Sequence, residues 1–409
     1  MSIRTDLVKK WDAAEGKMSL ASIQDEFVKE NLAVLLENQS STKVKDLVME
    51  SNNFSMSAPD SESTGQFKPI ALALVRRTFP ELFANKCVGV QAMNSPVGVA
   101  FALRMVYAGT NSGSAGAYNE AAFDKVDKFS GFTGSISGMS GTADTGTGTA
   151  LATAEGWQML PGAGNFPQLQ LKLERVAIEA LTRKLGASYS LEAAQDIKAM
   201  HNLDIDREMV NVLQYEIMAE LDRELLYNMK TVAVDTSIGG TAVTSINVSA
   251  SDGRWSQEKF SNVVNAIVAA SNNIAITTRR GAGNFVVVSP RVATAIQSSG
   301  PQFTRNRANV NATGIVTDVG SINETITVYR DSYATSDYAL VGYKGPGISD
   351  AGIIYSPYVM GLFSRAIEPQ DFSPRVGVMS RYGITKTLLG AGRYYKLVNF
   401  SNLDLVLGM

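Results

Sequence analysis

The chain has 409 residues, 45% hydrophobic and 19% charged, with a formal net charge of −2. That composition is globular, is long enough for two or three packed units, and lacks the basic surplus of a dedicated nucleic-acid binder. Cys87 is the sole cysteine and His201 the sole histidine, which excludes an intrachain disulfide and any multi-histidine metal site.

In chain order, residues 1–50 form a distinct compositional block. "LASIQDEFVKENLAVLLENQ" places Ile23, Phe27, Leu32, Leu35 and Leu36 at helical spacing, so an amphipathic helix is expected there. The opening "MSIRTDLVKKWDAAEGK" is charged and lacks the apolar core of a secretion signal, which points to a cytoplasmic start. No run of about 18 apolar residues occurs, so no membrane span is expected. "ESNNFSMSAPDSESTGQ" reads as a polar connector. A short helix is expected to end near Thr78, because Pro80 disfavours helix just before it.

Val88–Val90 and Val97–Tyr107 read as strands. Residues 109–164, rich in Gly, Ser and Thr, are expected to form an exposed excursion. Gln168–Ala180 alternates as a strand does. "YSLEAAQDIKAMH" reads as a helix with Ser190 as N-cap, leaving His201 a capping or packing role. From Asp204 to Met229, Ile205, Met209, Leu213, Ile217, Leu221 and Leu225 recur every four residues, with Val210, Val212, Met218 and Leu226 widening the face. A helix roughly 40 Å long is expected. Its carboxylates, interleaved with Arg207 and Arg223, read as a solvated face.

Residues 232–335 alternate short strands and helices. One helix is expected to close at Gly281. "NFVVVS" reads as a buried strand, and "SPRVATAIQSS" as a helix with Ser289 as N-cap and Pro290 first. "TITVYRD", "DYALVGY", "GIIYSPY", "RVGVMSRYGITKTL" and "RYYKLVNF" read as strands.

No catalytic, cofactor-binding or metal site emerges. "GYKGPGISDAGIIYS" has a lysine among glycines, but Lys344 precedes the later glycines and no Ser or Thr follows it. The order there is strand–turn–strand, whereas a phosphate loop needs strand–loop–helix. "RRGAGNFVVV" runs helix–turn–strand, the reverse of a dinucleotide fingerprint. "LDID", "AELDREL" and "PDSES" miss the calcium-loop spacing.

Four strings taken together resemble the major capsid protein family of T-even-type, contractile-tailed bacteriophages. They are "VRRTFPELFANKCVGVQAMNSPVGVAFALRMVY", "ASYSLEAAQDIKAMHNLDIDREMVNVLQYEIMAELDREL", "RGAGNFVVVSPRVATAI" and "DYALVGYKGPGISDAGIIYSPYV". The resemblance spans roughly Pro69 to Phe400. It implies an α+β, HK97-type capsid fold with an N-terminal arm, an extended E-loop, a long spine helix in a peripheral domain, and an axial α/β domain. In those terms residues 1–50 would be a propeptide or arm, 51–103 the N-arm and start of the peripheral domain, and 104–180 the E-loop. Residues 181–231 would carry the spine helix, 232–360 the axial domain, and 361–409 the return to the peripheral domain.

The same resemblance implies no enzyme and no cofactor. It implies a virion protein that self-assembles in the host cytoplasm into hexameric capsomers of an icosahedral or prolate head. Such a head encloses double-stranded DNA without reading its sequence. Scaffold, portal, decoration and vertex proteins are the implied partners. Phe129 and Phe132 in the excursion would be inter-subunit anchors. Cleavage of the N-terminal segment after a glutamate is a further implication. Glu50–Ser51 has Val48 where the family favours Leu or Ile, while Glu37–Asn38 has Leu35 in place but an unusual following residue. An encapsulin-type shell protein and a small-molecule enzyme on an α+β scaffold are the alternatives.

Overall fold

The computed structural model describes residues 3–12, 20, 23, 25–40, 79, 82–108, 151, 155–156, 168–201, 205–235, 237–238, 241–242, 245–248, 254–300, 303–305, 316–347, 350–368, 373–387 and 390–403. The expected helix ending near Thr78 and most of the Gly/Ser/Thr excursion lie outside these residues.

Helices α1 (Ile3–Asp12) and α2 (Glu26–Ser40) come first. Asp25 caps α2, its Oδ1 accepting from the Phe27 backbone N–H at 3.1 Å. Asn31 to Leu36 are six consecutive buried residues. A helix buried on every side belongs to a core rather than a surface. α1 packs along it, with Lys10–Glu37 and Lys29–Asp12 ion pairs at 2.8 and 2.9 Å and Trp11 buried at the join.

Next come the short helix α3 (Ala84–Cys87) and the strands β1 (Gly89–Val90), β2 (Val97–Ala108), β3 (Gln168–Glu179) and β4 (Leu181–Ser188). Strand β4 was not expected, since no element is read at residues 181–188, between the strand and the helix on either side. Helix α4 (Leu191–His201) is N-capped by Ser190, whose Oγ accepts from Ala193 N at 3.2 Å. Helix α5 (Ile205–Val232) follows, 28 residues long.

The carboxyl-terminal half of α5 is its more deeply buried part, through Leu221, Leu225, Leu226 and Met229, while Leu213 in the first half packs on Val376 and Val378. Val212, expected to widen the apolar face, is 56% exposed. Asp222, expected on a solvated face, is buried. It lies between Leu221 and Leu225 on the side where the turn before α3 docks.

Four short strands follow: β5 (Val234–Asp235), β6 (Ser237–Ile238), β7 (Thr241–Ala242) and β8 (Ile246–Asn247). Helix α6 (Ser256–Thr278) ends on Arg279, which takes the left-handed conformation at φ 52°. Gly281 is therefore not the residue that closes the helix. It is small for another reason: a Cβ there would lie 2.8 Å from the Tyr343 ring. β9 (Phe285–Val288) and α7 (Pro290–Ser298) follow, and Ser289 Oγ caps α7 by accepting from Val292 N. The remaining strands are β10 (Phe303–Arg305), β11 (Val316–Ile322), β12 (Ile326–Asp331), β13 (Tyr338–Gly342), β14 (Ile353–Ile367), β15 (Pro374–Lys386) and β16 (Tyr395–Ser401).

The larger sheet has the order β10-β11-β12-β9-β13-β16-β5, with β8 also on β16. β9 pairs parallel to β12 and antiparallel to β13. All four residues of β9 are buried, with Val286 and Val288 in one core and Phe285 and Val287 in another. The sheet thus divides two cores: α6 and α7 cover one face, and the other meets α5 and the N-terminal helices. A strand covered on both faces reads as an unbroken apolar run, which is how "FVVV" reads.

The smaller sheet has the order β1-β14-β15-β4, with α5 packed on β15 and β4 and α2 on β14. β2 and β3 pair only with each other. Residues 361–409, expected to return together, divide between the sheets: β15 joins the smaller and β16 the larger. β14, beginning at Ile353, already belongs to the smaller one.

Candidate assembly surfaces

The lysine in the glycine-rich turn is an internal tie. Lys344 bridges antiparallel to Ala351, so the order is strand–turn–strand. Asn284 brackets its peptide, donating to Lys344 O at 2.7 Å and accepting from Lys344 N at 3.0 Å. Gly345 N donates to Asp350 O, and Asp350 pairs with Arg280. The Lys344 ammonium donates to the Asn85 carbonyl. Burial lowers its pKa, while Cys87 and Asp25 act in the opposite direction. These amides and this amine are engaged with the protein itself and do not form a phosphate cradle.

Cys87 is fully buried, and burial pushes its thiol well up, the reverse of an activated nucleophile. His201 is exposed at the end of α4. Among the described residues no group of three or more His, Cys, Asp or Glu side chains gathers as a metal site requires, and no helix is long and apolar enough to cross a membrane. Between α5 and the smaller sheet, Ile217, Leu221, Tyr355, Ser380 and Tyr382 line a cavity of about 20 Å³, room for one water.

The exposed features are of another kind. β2 and β3 form a two-stranded ribbon whose register runs without a break from Val97↔Glu179 to Ala108↔Gln168. Paired residues share a face and successive residues alternate. One face therefore carries Val97, Val99 and Phe101 with Leu173 and Leu171, and between them Arg175 and Glu179. These are exposed, Phe101 at 57% and both leucines at 65%. The opposite face is fixed at its root, where Ala100 and Ile178 pack on Met93 and Ile354. Gly98 permits this, since a Cβ there would lie 2.7 Å from the Met93 sulfur. A ribbon that turns large apolar side chains to water is a candidate interface.

A second exposed feature is β4, the outer strand of the smaller sheet, with Leu181 and Leu185 exposed. It is tied to α5 by Arg183, which pairs with Glu220 and, at 2.7 Å, with Glu224. Tyr382 from β15 donates to the same Glu224 at 2.7 Å. Burial, and then that hydrogen bond, push the Tyr382 hydroxyl up. The carboxylates of this part of α5 thus brace the sheet.

Of the residues singled out from sequence, Phe129, Phe132, Glu50 and Ser51 lie outside the described residues. Glu37 and Asn38 lie inside α2. Glu37 is paired with Lys10, and Asn38 donates to the carbonyls of Met93 and Tyr358 at 2.8 and 3.0 Å. The apolar ribbon face was not singled out from sequence. The signal was present as two alternating strings, "VGVAF" and "LQLKL". Which face the body covers depends on the partner elements.

The family model for the major capsid protein Gp23 matches residues 64–400. The major capsid protein of Salmonella phage ViI is 33% identical over 380 residues, covering 87% of this chain and 84% of that protein. The major capsid protein of Enterobacteria phage T4 is 31% identical over 397 residues, covering 79% and 76%. The capsid vertex protein of the same phage is similar at 21% over 254 residues, covering 56% and 58%. With the family model matched over residues 64–400 and major capsid proteins 31% and 33% identical over most of both chains, the chain belongs to the Gp23 family of major capsid proteins, the wall subunits of a phage head.

Proposed function

We propose that this major capsid protein builds its shell as an HK97-type subunit, in hexameric capsomers, with the β2–β3 ribbon as the E-loop that laps a second copy. The observation that carries the reading is the exposed row Val97, Val99, Phe101, Leu171 and Leu173 on a ribbon rooted at one end. An isolated two-stranded ribbon is marginal in water, so a covering neighbour supplies what the subunit lacks. α5 would serve as the spine beneath the smaller sheet, and the larger sheet with α6 and α7 as the axial unit. Many modest contacts of this kind close into rings and then a shell.

A near-neutral chain suits a wall that confines DNA without gripping its phosphates. Assembly in the host cytoplasm, with a vertex paralogue, scaffold, portal and decoration proteins, completes the reading. Of the two candidate cleavage points, Glu50–Ser51 is favoured, since Glu37–Asn38 is held in a packed helix.

The test is a triple substitution, Phe101→Ser, Leu171→Ser and Leu173→Ser. Because these side chains are exposed, the purified subunit is expected to keep its thermal midpoint. Negative-stain microscopy is expected to find capsomers or shells with the parent protein and neither with the variant. Normal shells from the variant would overturn the assignment of the ribbon.

A further inference from the structure

Helices α1 and α2 are built into the subunit as a bound molecule is built into its receptor. Within α2, Leu32, Ala33, Val34, Leu35 and Leu36 are buried, and they join the core that includes Val90, Leu221, Leu225 and Tyr355. The polar contacts are directional. Asn31 reads the outer edge of β1, its Nδ2 donating to Val90 O at 3.2 Å and its Oδ1 accepting from Ala92 N at 3.1 Å. One amide side chain thereby takes the place of a neighbouring strand's peptide group. Asn38, seven residues on and so on the same helix face, donates to Met93 O and Tyr358 O. The pair of helices is also self-contained, because Lys10–Glu37 and Lys29–Asp12 hold α1 to α2.

We propose that the body of the chain carries a binding groove for a helix bearing two asparagines one heptad apart, and that residues 1–40 are its separable ligand. The groove lies along β1 and β14. Severing the chain after residue 40 turns an intramolecular contact into a bimolecular one and removes the high effective concentration of a tether, but it leaves each contact above intact. Cutting and release are then two events: the helices stay seated after the cut and leave only when another segment takes their place. The inference stands on contacts within one subunit and does not depend on the ribbon.

The experiment replaces Val44–Met49 with a site for a sequence-specific protease, folds the full chain, and then cuts it. Size-exclusion chromatography and native mass spectrometry at micromolar concentration are expected to find the fragment still bound. A fluorescent synthetic peptide of residues 1–40, in excess, is expected to exchange into the cut complex. The same peptide carrying Asn31→Ala and Asn38→Ala should bind at least tenfold more weakly. Separation of the fragment on cutting, whether or not the body survives, overturns the proposal. Equal binding of the two peptides overturns the role given to the asparagines.

Discussion

On α5, Asp222 faces the Phe83 backbone N–H, Lys86, Cys87 and Tyr355. Burial pushes its carboxyl from the ordinary 3.8 up to about 7, against the pull of the Phe83 N–H and Lys86. Between those values the folded subunit holds a proton that the unfolded chain has released. The contribution to stability is therefore full below pH 4 and is lost as pH rises through 7, by roughly 4 kcal/mol in all. Asp222→Asn removes this slope. In urea unfolding, the stability of the variant relative to the parent is expected to improve from pH 5 to pH 8. A difference that stays constant would mean the carboxyl is not the cause. Sequence did not disclose this residue, because "ELDREL" looks alike whether or not a turn from elsewhere covers its third position.

Elements with their own local signals were legible. The N-caps Ser190 and Ser289, the run of β9, and the length of α5 followed from spacing and chemistry within each segment. Features decided by distant partners were not. β4 carries exposed side chains on both faces, and its pairing with β15 is what makes it a strand. The end of α6 falls on Arg279 although a glycine stands two residues on. α2 was legible as an amphipathic helix but not as a core helix, because the covering of its outer side by α1 is a tertiary fact. That burial sets its energetics: Leu35→Ala removes a fully buried side chain between two layers and is expected to cost about 3 kcal/mol. Chemical denaturation should register that loss. A cost below about 1 kcal/mol would mean α2 is held far less firmly than its burial implies.

For the whole molecule, the larger sheet is shared property. β9 sends alternate residues into the two main cores, and Leu340 and Val341 of β13 do the same. Neither core can loosen without disturbing strands that serve the other. Subunits are therefore expected to melt in a single calorimetric transition whose van't Hoff and calorimetric enthalpies agree, despite a length that would allow independent units. Two resolved transitions would show that the sheet does not couple the cores.

The β2–β3 ribbon is anchored at one end and runs for eight residue pairs beyond that root, from Phe101↔Arg175 to Ala108↔Gln168. Its free length is roughly 27 Å, so it acts as a cantilever. Each degree of rotation at Ala100 and Ile178 swings the far end by about 0.5 Å, from that length. Curvature in anything assembled from such arms is therefore governed by a few small side chains at the pivot, where a single added methylene would steer the tip farther than any change along the arm.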